Sequence, residues 1–290
     1  MKVEVSIVNA FVDESIGGNP AGVVLNAQQY SQAQKQRIAA VVGLSETAFV
    51  SPSTTAHFKL EFFTPTRQIA HCGHASIATF SYLRQTGSLP NDRTSKETID
   101  GRREIIMEGE AAYMEQMAPH YMELPQAHQL SALDSLGLTP SDLMAEALPY
   151  IVNTGNAFLV IALRNATLVK AVKPNRKLIS AMSDTYDLIG YYIFSPQVEK
   201  AGRDAGARMF APRYGIEEES ATGMAAGPLA CYLHDKLNHK KAHYLVEQGH
   251  FMSPPSPSVL VVRLQIERDS ISSLMVGGKA AVSEVRSVEI

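Results

Sequence analysis

FFTPTRQIAHCGHASIATFSYL, residues 62–83, is the stretch that decides the fold. It begins with two phenylalanines, which are typical of a short strand, and continues through a proline-bounded turn to Cys72-Gly73-His74. After this junction the apolar residues recur at positions that fit a buried helix. The pattern therefore predicts a strand, a turn and a buried helix that begins at the junction.

A second version of this design lies further along the chain, in MFAPRYGIEEESATGMAAGPLACYL. Phe210-Ala211-Pro212 parallels Phe63-Thr64-Pro65, and Thr222-Gly223-Met224 parallels Cys72-Gly73-His74. The two junctions are therefore predicted to be equivalent.

Two earlier landmarks recur in the same order. Gly18-Asn19 before one predicted strand is echoed by Gly155-Asn156 before another, and residues 44–52 are echoed by residues 187–196. Three landmarks repeated in one order indicate a duplicated chain.

The length and composition agree with a duplication. A chain of 290 residues that is 45% hydrophobic can form two domains of ordinary size. The polar stretch 84–102 is predicted to form turns, and the proline-bearing stretch 117–125 marks the predicted boundary. The first half is predicted to comprise residues 1–117 with a C-terminal strand at about 278–290, and the second half residues 118–277.

The overall charge argues against several classes of partner. With a net charge of -3 and scattered Lys and Arg, the sequence has no basic footprint for nucleic acid or an anionic membrane. Residues 1–14 alternate like a strand rather than a signal peptide, and no apolar run approaches membrane-spanning length, so a cytoplasmic protein is expected. Two cysteines exclude a disulfide framework and a cysteine-rich zinc site.

The two copies differ at two titratable residues. When they are aligned, Gly190 stands opposite Glu46, and Met224 stands opposite His74. A residue that the fold needs should recur in both copies, whereas chemistry can be built on one side, so the comparison favours functional roles for Glu46 and His74. The alternatives are a solvated turn carboxylate and a helix N-terminal histidine that bonds to nearby backbone.

The glycine junctions suggest a ligand class. Gly73 and Gly223 each precede a predicted helix, whose first turn has unpaired N–H groups and a partial positive charge that suit a small acidic molecule. His71, Cys72 and His74 could also suggest a metal, but a third separated ligand cluster is missing, and we predict no metal.

Six motifs spread this pattern over nearly the whole chain: GGNPAGVV, GLSETAFV, FTPTRQIAHCGHAS, FAPRYGIEEESATG, VEQGHFM and VGGKAAV. At these motifs the chain resembles the PhzF-like isomerases of phenazine biosynthesis, which share the fold of diaminopimelate epimerase. The resemblance implies an α+β fold of two pseudo-symmetric domains, each a β-barrel-like sheet around a central helix. It also implies a homodimer with no cofactor and no metal.

The resemblance also implies roles for individual residues. Glu46 in LSETAFV is similar to the family's general acid/base, His74 in CGHAS is expected to line the site, and Glu219 stands where the family usually has Asp. The predicted substrate-binding residues are Asn19, Gly73, Ala75, Thr222, Gly223 and Met224. The second half departs from the family pattern, with EESATGMA where EDPATGSA is usual and MSPPS where MGRPS is usual.

Together, these observations predict a cofactor-independent isomerase that moves a proton within a small carboxylate-bearing metabolite, with Glu46 as general acid/base. One alternative is a two-base amino-acid epimerase, which would need a thiol at both junctions, whereas this chain has Cys72 at one and Thr222 at the other. The other alternative is a non-catalytic small-molecule binder, which the altered second half favours.

Overall fold

The computed structural model of the protein describes residues 1–89 and 91–290. The chain divides into two compact units: unit 1 comprises Met1–Glu115 and Gly277–Ile290, and unit 2 comprises Gln116–Val276. Both units combine a few helices with runs of mainly antiparallel strands, so the α+β class predicted from the sequence is confirmed. Within the described residues, no helix is long and apolar enough to cross a membrane.

The elements follow one another in chain order. Up to the boundary between the units they are β1 (Lys2–Ala10), β2 (Asn19–Val24), α1 (Gln32–Val42), β3 (Thr47–Ser51), β4 (Phe58–Phe63), β5 (Gln68–Ile69), α2 (Gly73–Gln85), β6 (Arg93–Thr98), β7 (Gly101–Glu108) and β8 (Ala111–Met117). They continue with β9 (His120–Glu123), α3 (Gln126–Asp134), β10 (Tyr150–Asn153), β11 (Ala157–Ala162), α4 (Ala166–Ala171), α5 (Arg176–Tyr186), β12 (Gly190–Ser195), β13 (Ala205–Ala211), β14 (Ile216–Glu219), α6 (Gly223–Asp235), β15 (His243–Gln248), β16 (Ser258–Glu267), β17 (Ser270–Gly278) and β18 (Ala280–Glu289).

The two units repeat one strand topology. In unit 1 the pairs β1–β2, β2–β3, β3–β4, β4–β6 and β6–β7 are antiparallel, parallel, antiparallel, parallel and antiparallel in turn. In unit 2 the pairs β10–β11, β11–β12, β12–β13, β13–β15 and β15–β16 follow the same order of directions. The duplication predicted from the sequence is therefore present in the fold.

The register of the strands supports the residue equivalences. Thr47 of β3 pairs with Phe63 of β4, and the aligned residues Tyr191 of β12 and Phe210 of β13 pair in the same way. Because a one-residue slip would turn every side chain to the other face, a shared register means that equivalent residues have equivalent orientations.

Each unit is built around one buried helix. Helix α2 begins at Gly73 and packs on β1, β2 and β18, and helix α6 begins at Gly223 and packs on β10, β11 and β16. Residues on nearly every side of both helices are buried, as expected for helices enclosed by a sheet. The prediction that Gly73 and Gly223 begin buried helices is confirmed.

The chain reaches the candidate acid/base through a well-capped helix. Ser31 and Gln34 form a capping box at the start of α1, and Gly43 ends the helix in the left-handed conformation at φ 70°. Four residues later the chain enters β3 at Thr47, so Glu46 lies on a short connection between two fixed elements.

The polar stretch 84–102 contains a strand that the sequence pattern did not predict. Strand β6 pairs with β7 and β4, and its residues Thr94, Ser95 and Lys96 are buried. Buried polar residues give no apolar alternation, so the usual strand signal is missing here.

Candidate active site

Glu46 is buried although it lies on a turn. Its residue exposure is 7%, and its backbone carbonyl accepts a hydrogen bond of 3.0 Å from the N–H of Gly22 in β2. The backbone bond extends the parallel pairing of β2 and β3 by one residue and fixes the position of Glu46. The alternative of a solvated turn carboxylate is therefore wrong.

His74 lies beside this carboxylate. It is the second residue of α2, it is 4% exposed, and its Nε2 lies 3.3 Å from Oε2 of Glu46. A carboxylate and an imidazole this close form a pair of side chains that is common in proton-transfer sites.

Cys72 extends the pair to a chain of three groups. Its Sγ lies 3.5 Å from Nδ1 of His74, whereas Glu46 faces the other ring nitrogen, Nε2. Burial raises the pKa of the Cys72 thiol, and the opposing influence of nearby His74 does not cancel this rise. If the protonated thiol donates to Nδ1, the imidazole proton is on Nε2, the ring nitrogen that faces Glu46.

The same three side chains could be considered as metal ligands. In the part of the chain that the structure describes, one ligand atom each from Glu46, Cys72 and His74 lie within 4.8 Å of one another. However, the thiol faces one ring nitrogen of His74 and the carboxylate faces the other. One metal ion binds one ring nitrogen, so this geometry suits a proton chain better than a shared ion.

In unit 2 the equivalent junction carries a different polar network. The Thr222 hydroxyl donates to Oε2 of Glu219 at 2.5 Å, and Nε2 of Gln248 donates to Oγ1 of Thr222 at 3.1 Å. Oε1 of Gln248 accepts from the Thr222 N–H at 3.1 Å and from the Tyr192 hydroxyl at 2.8 Å. Gln248 therefore fixes the start of α6.

Gln248 was not among the site residues predicted from the sequence, although it lies in the VEQGHFM motif. The sequence feature that could have indicated it is an amide side chain at the end of strand β15. The relation between Gln248 and Thr222, 26 residues apart, emerges only from the parallel pairing of β13 and β15.

The predicted substrate-binding residues are divided between the two units. In unit 1, Asn19 begins β2 and Ala75 lies in the first turn of α2, and both are buried. In unit 2, Met224 is half-buried, and its Sδ lies 3.4 Å from Nδ2 of Asn156, the residue that the repeat aligns with Asn19. The carbonyl of Gly223 accepts a hydrogen bond of 2.9 Å from Nε2 of Gln116.

Comparison with known proteins gives a consistent result. The protein family described as "Phenazine biosynthesis-like protein" (PhzC-PhzF) matches residues 8–286. The Salmonella typhimurium protein named "Uncharacterized isomerase YddE" is 33% identical over 258 residues, which are 86% of this chain and 86% of that protein. Trans-2,3-dihydro-3-hydroxyanthranilate isomerase of Pseudomonas chlororaphis is 30% identical over 280 residues, 94% of each chain.

A solved structure shows the same fold. The crystal structure of the Bacillus anthracis phenazine biosynthesis protein of the PhzF family has a TM-score of 0.91 at 24% identity and covers 100% of both chains. The barrel-like α+β architecture around central helices is therefore shared with that protein.

Proposed function

Because the chain belongs to the family of phenazine biosynthesis-like proteins and is an isomerase, we propose that it moves a proton within a small carboxylate-bearing metabolite without a cofactor. Glu46 is the general acid/base of this proposal. The observation that carries it is the buried pair of Glu46 and His74, with 3.3 Å between Oε2 and Nε2.

The pair has the properties that proton transfer from carbon needs. The ring of His74 lies 3.3 Å from one carboxylate oxygen of Glu46, and the backbone of Glu46 is bonded to Gly22, so the carboxylate is held near its working position before substrate arrives. Burial excludes water, which would otherwise compete as a proton acceptor and screen the charge of the carboxylate. In this proposal His74 orients the base.

The proposed reaction conserves atoms and electrons. The C–H bond of the substrate breaks, its proton moves to Glu46, and its electron pair forms a double bond to the neighbouring carbon. The former double bond shifts its electrons to a more distant carbon, where Glu46 returns the proton to form a new C–H bond. The step needs no oxidant and no reductant, and Glu46 ends in its starting state.

The substrate class follows from the two glycine junctions. Gly73 and Gly223 begin buried helices, and first-turn N–H groups favour carboxylates. We include Asn19, Gly73 and Ala75 of unit 1 and Thr222, Gly223 and Met224 of unit 2 as substrate-binding residues, and Glu219 as a second catalytic carboxylate.

Two-base epimerisation is disfavoured by the second junction. Thr222 stands where the second thiol would be needed, and its hydroxyl donates to Glu219. Cys72 in unit 1 has a raised pKa and is a neutral thiol rather than a ready base.

The proposal is tested by Glu46→Gln, which keeps the shape of the side chain but cannot take up the proton. Turnover is followed by proton NMR in deuterium oxide with a panel of small unsaturated and amino-substituted carboxylates that includes trans-2,3-dihydro-3-hydroxyanthranilate. We expect wild type to isomerise one of them, and Glu46→Gln to lower kcat by a factor of about 100 or more. Thermal stability should change little.

The matched control is Glu61→Gln, which alters another buried carboxylate of unit 1, on β4, where it pairs with Lys35. This variant should lose stability but keep kcat. A Glu46→Gln enzyme that turns over its substrate at the wild-type rate would show that Glu46 is structural. A ligand that raises the melting temperature of wild type without being converted by it would favour the non-catalytic binder.

A further inference from the structure

Lys96 lies beside the Cys72-Gly73-His74 junction and is entirely shielded from solvent. It is a residue of β6 with 0% exposure, its ammonium group donates to Oγ of Ser76, and it lies 3.4 Å from Nδ1 of His71. The Nζ also lies 5.3 Å from the centre of the Phe62 ring. Burying an ammonium group costs free energy, so its presence calls for an explanation.

The contacts of Lys96 hold both sides of the junction. On one side, the Ser76 hydroxyl accepts the hydrogen bond from Lys96 and donates one to the carbonyl of Cys72 at 2.6 Å. On the other side, burial and the charge of Lys96 hold the pKa of His71 well below its usual value, so its neutral ring can accept from the ammonium group.

The internal repeat shows that the fold does not need this lysine. Lys96 pairs with Phe58 in the parallel pair β4–β6, and Val246 pairs with Ala205 in the parallel pair β13–β15. The alignment of Phe63 with Phe210 places Phe58 opposite Ala205, so Lys96 and Val246 are equivalent. The aligned junctions place Ala221 at the position of His71 and Ala226 at the position of Ser76. All three polar residues of unit 1 are therefore apolar in unit 2, at positions that are buried there.

We propose that Lys96 is a positioning residue for the pair of Glu46 and His74, because it holds the segment 71–76 from which His74 reaches the carboxylate. The trio of Lys96, Ser76 and His71 occurs in the unit that carries this pair, and its three replacements occur in the unit where Met224 stands in place of His74. The catalytic consequence of this role rests on the proposed function, but the positioning itself does not.

The charge of Lys96 gives the role a pH dependence. Burial lowers the pKa of Lys96 to about 7, with Cys72 and Asp100 acting to raise it and Arg103 of β7 acting to lower it. Lys96 is therefore charged below neutral pH and loses its charge as the pH rises through this value. The positive charge behind the first turn of α2 disappears over the same range.

The test uses Lys96→Met, which keeps the length of the side chain and removes its charge and donors. The variant should fold, because an apolar side chain occupies the equivalent position in unit 2 and replacing a buried charge by a hydrophobic residue is often tolerated. Lys96→Val, which copies the residue of unit 2, is the second variant. The matched control is Lys59→Met on the neighbouring strand β4.

The direct readout is nitrogen NMR of the histidine rings between about pH 5 and about pH 9, with His71→Gln and His74→Gln used for assignment. In Lys96→Met we expect the pKa of His71 to rise towards its ordinary value and the His74 ring signals to shift, whereas Lys59→Met should match wild type. His74 signals in Lys96→Met and Lys96→Val that coincide with those of wild type would overturn the proposal.

The second readout is turnover of the substrate identified for wild type. We expect Lys96→Met to lower kcat about tenfold with little change in KM, since misplaced groups slow the chemical step more than they weaken binding. The decline of wild-type kcat above about pH 7 should be missing in this variant. If Glu46→Gln leaves turnover unchanged while the His74 signals still shift, the proposed function fails and the positioning role stands.

Discussion

Cys72 is the residue whose substitution distinguishes the proposed isomerisation from two-base epimerisation. Serine keeps a hydrogen-bond donor that faces Nδ1 of His74, so Cys72→Ser should retain kcat within about fivefold of wild type. Cys72→Ala removes the donor and leaves His74 without this restraint, so it should lose more activity than Cys72→Ser. Both variants are measured with the exchange assay in deuterium oxide.

A folded Cys72→Ser protein with no turnover would contradict this expectation. That result would mean that the thiol itself exchanges a proton with substrate, and the epimerase alternative would replace the isomerase of our proposal. Circular dichroism and a melting curve on the same sample establish that the variant is folded.

The structure modifies the sequence argument for Glu46. Glu46 was singled out because its counterpart in the second copy is Gly190. A Cβ atom at Gly190 would lie 2.2 Å from the carbonyl oxygen of Phe210, so close packing excludes a side chain there. The absence of a second glutamate is therefore steric, and the functional case for Glu46 rests on its burial beside His74, which no sequence pattern could show.

At the scale of single elements, Gly190 gives a sharp prediction for β12. Gly190→Ala should destabilise the protein by more than about 2 kcal/mol, because the clashing atom is backbone of the paired strand β13 and cannot move without disturbing the ladder. The free energy of unfolding is measured by urea denaturation with two spectroscopic probes.

Gly43→Ala is the comparison for this variant. Gly43 has φ 70°, but a Cβ atom there would meet nothing within 4 Å, so the cost is conformational and should be about 1 kcal/mol. Equal losses in the two variants would mean that β12 and β13 separate easily at this point.

The elements differed in how well the sequence predicted them. The helices α2 and α6 follow from apolar periodicity after a glycine. Strand β6 was missed because Lys96 and Ser95 find their partners at Ser76 and His57, 20 and 38 residues away. Such partners are known only once the chain is folded.

At the scale of the whole molecule, the ion pair of Lys35 and Glu61 should govern part of the acid stability. Both side chains are 6% exposed, and the pair joins α1 to β4. Burial alone would raise the pKa of Glu61, but hydrogen bonds from Lys35 and Gln32 bring it below its ordinary value of 4.5. The stabilisation is therefore fully present above the unfolded pKa and is lost as the pH falls through the lower folded pKa.

Lys35→Met should reverse this dependence. It leaves a buried carboxylate without its cation, which costs about 3 kcal/mol or more at neutral pH. The pKa of Glu61 then rises, so acidification neutralises the buried charge and the difference from wild type shrinks. Urea midpoints recorded from about pH 7 down to about pH 3 provide the measurement, with the exposed Lys2→Met as control. A difference that stays constant over this range would contradict the assignment.

The duplication is the property of the whole molecule that the sequence predicted best. Three landmarks in one order predicted the repeat, and the shared strand topology and register confirm it. The network of Gln248 and the trio at Lys96 were missed, because each depends on strand pairings that bring distant residues together.

The pairing of β18 with β1 has a consequence for how the protein is made. The two strands form an antiparallel ladder in unit 1, in which Ser283 bonds to the carbonyl of Ile7, 276 residues earlier in the chain. On the ribosome, β1 therefore emerges long before the strand that completes its sheet, and all of unit 2 is synthesised in between. The sheet that surrounds Glu46 and His74 can therefore close only after β18 has left the exit tunnel.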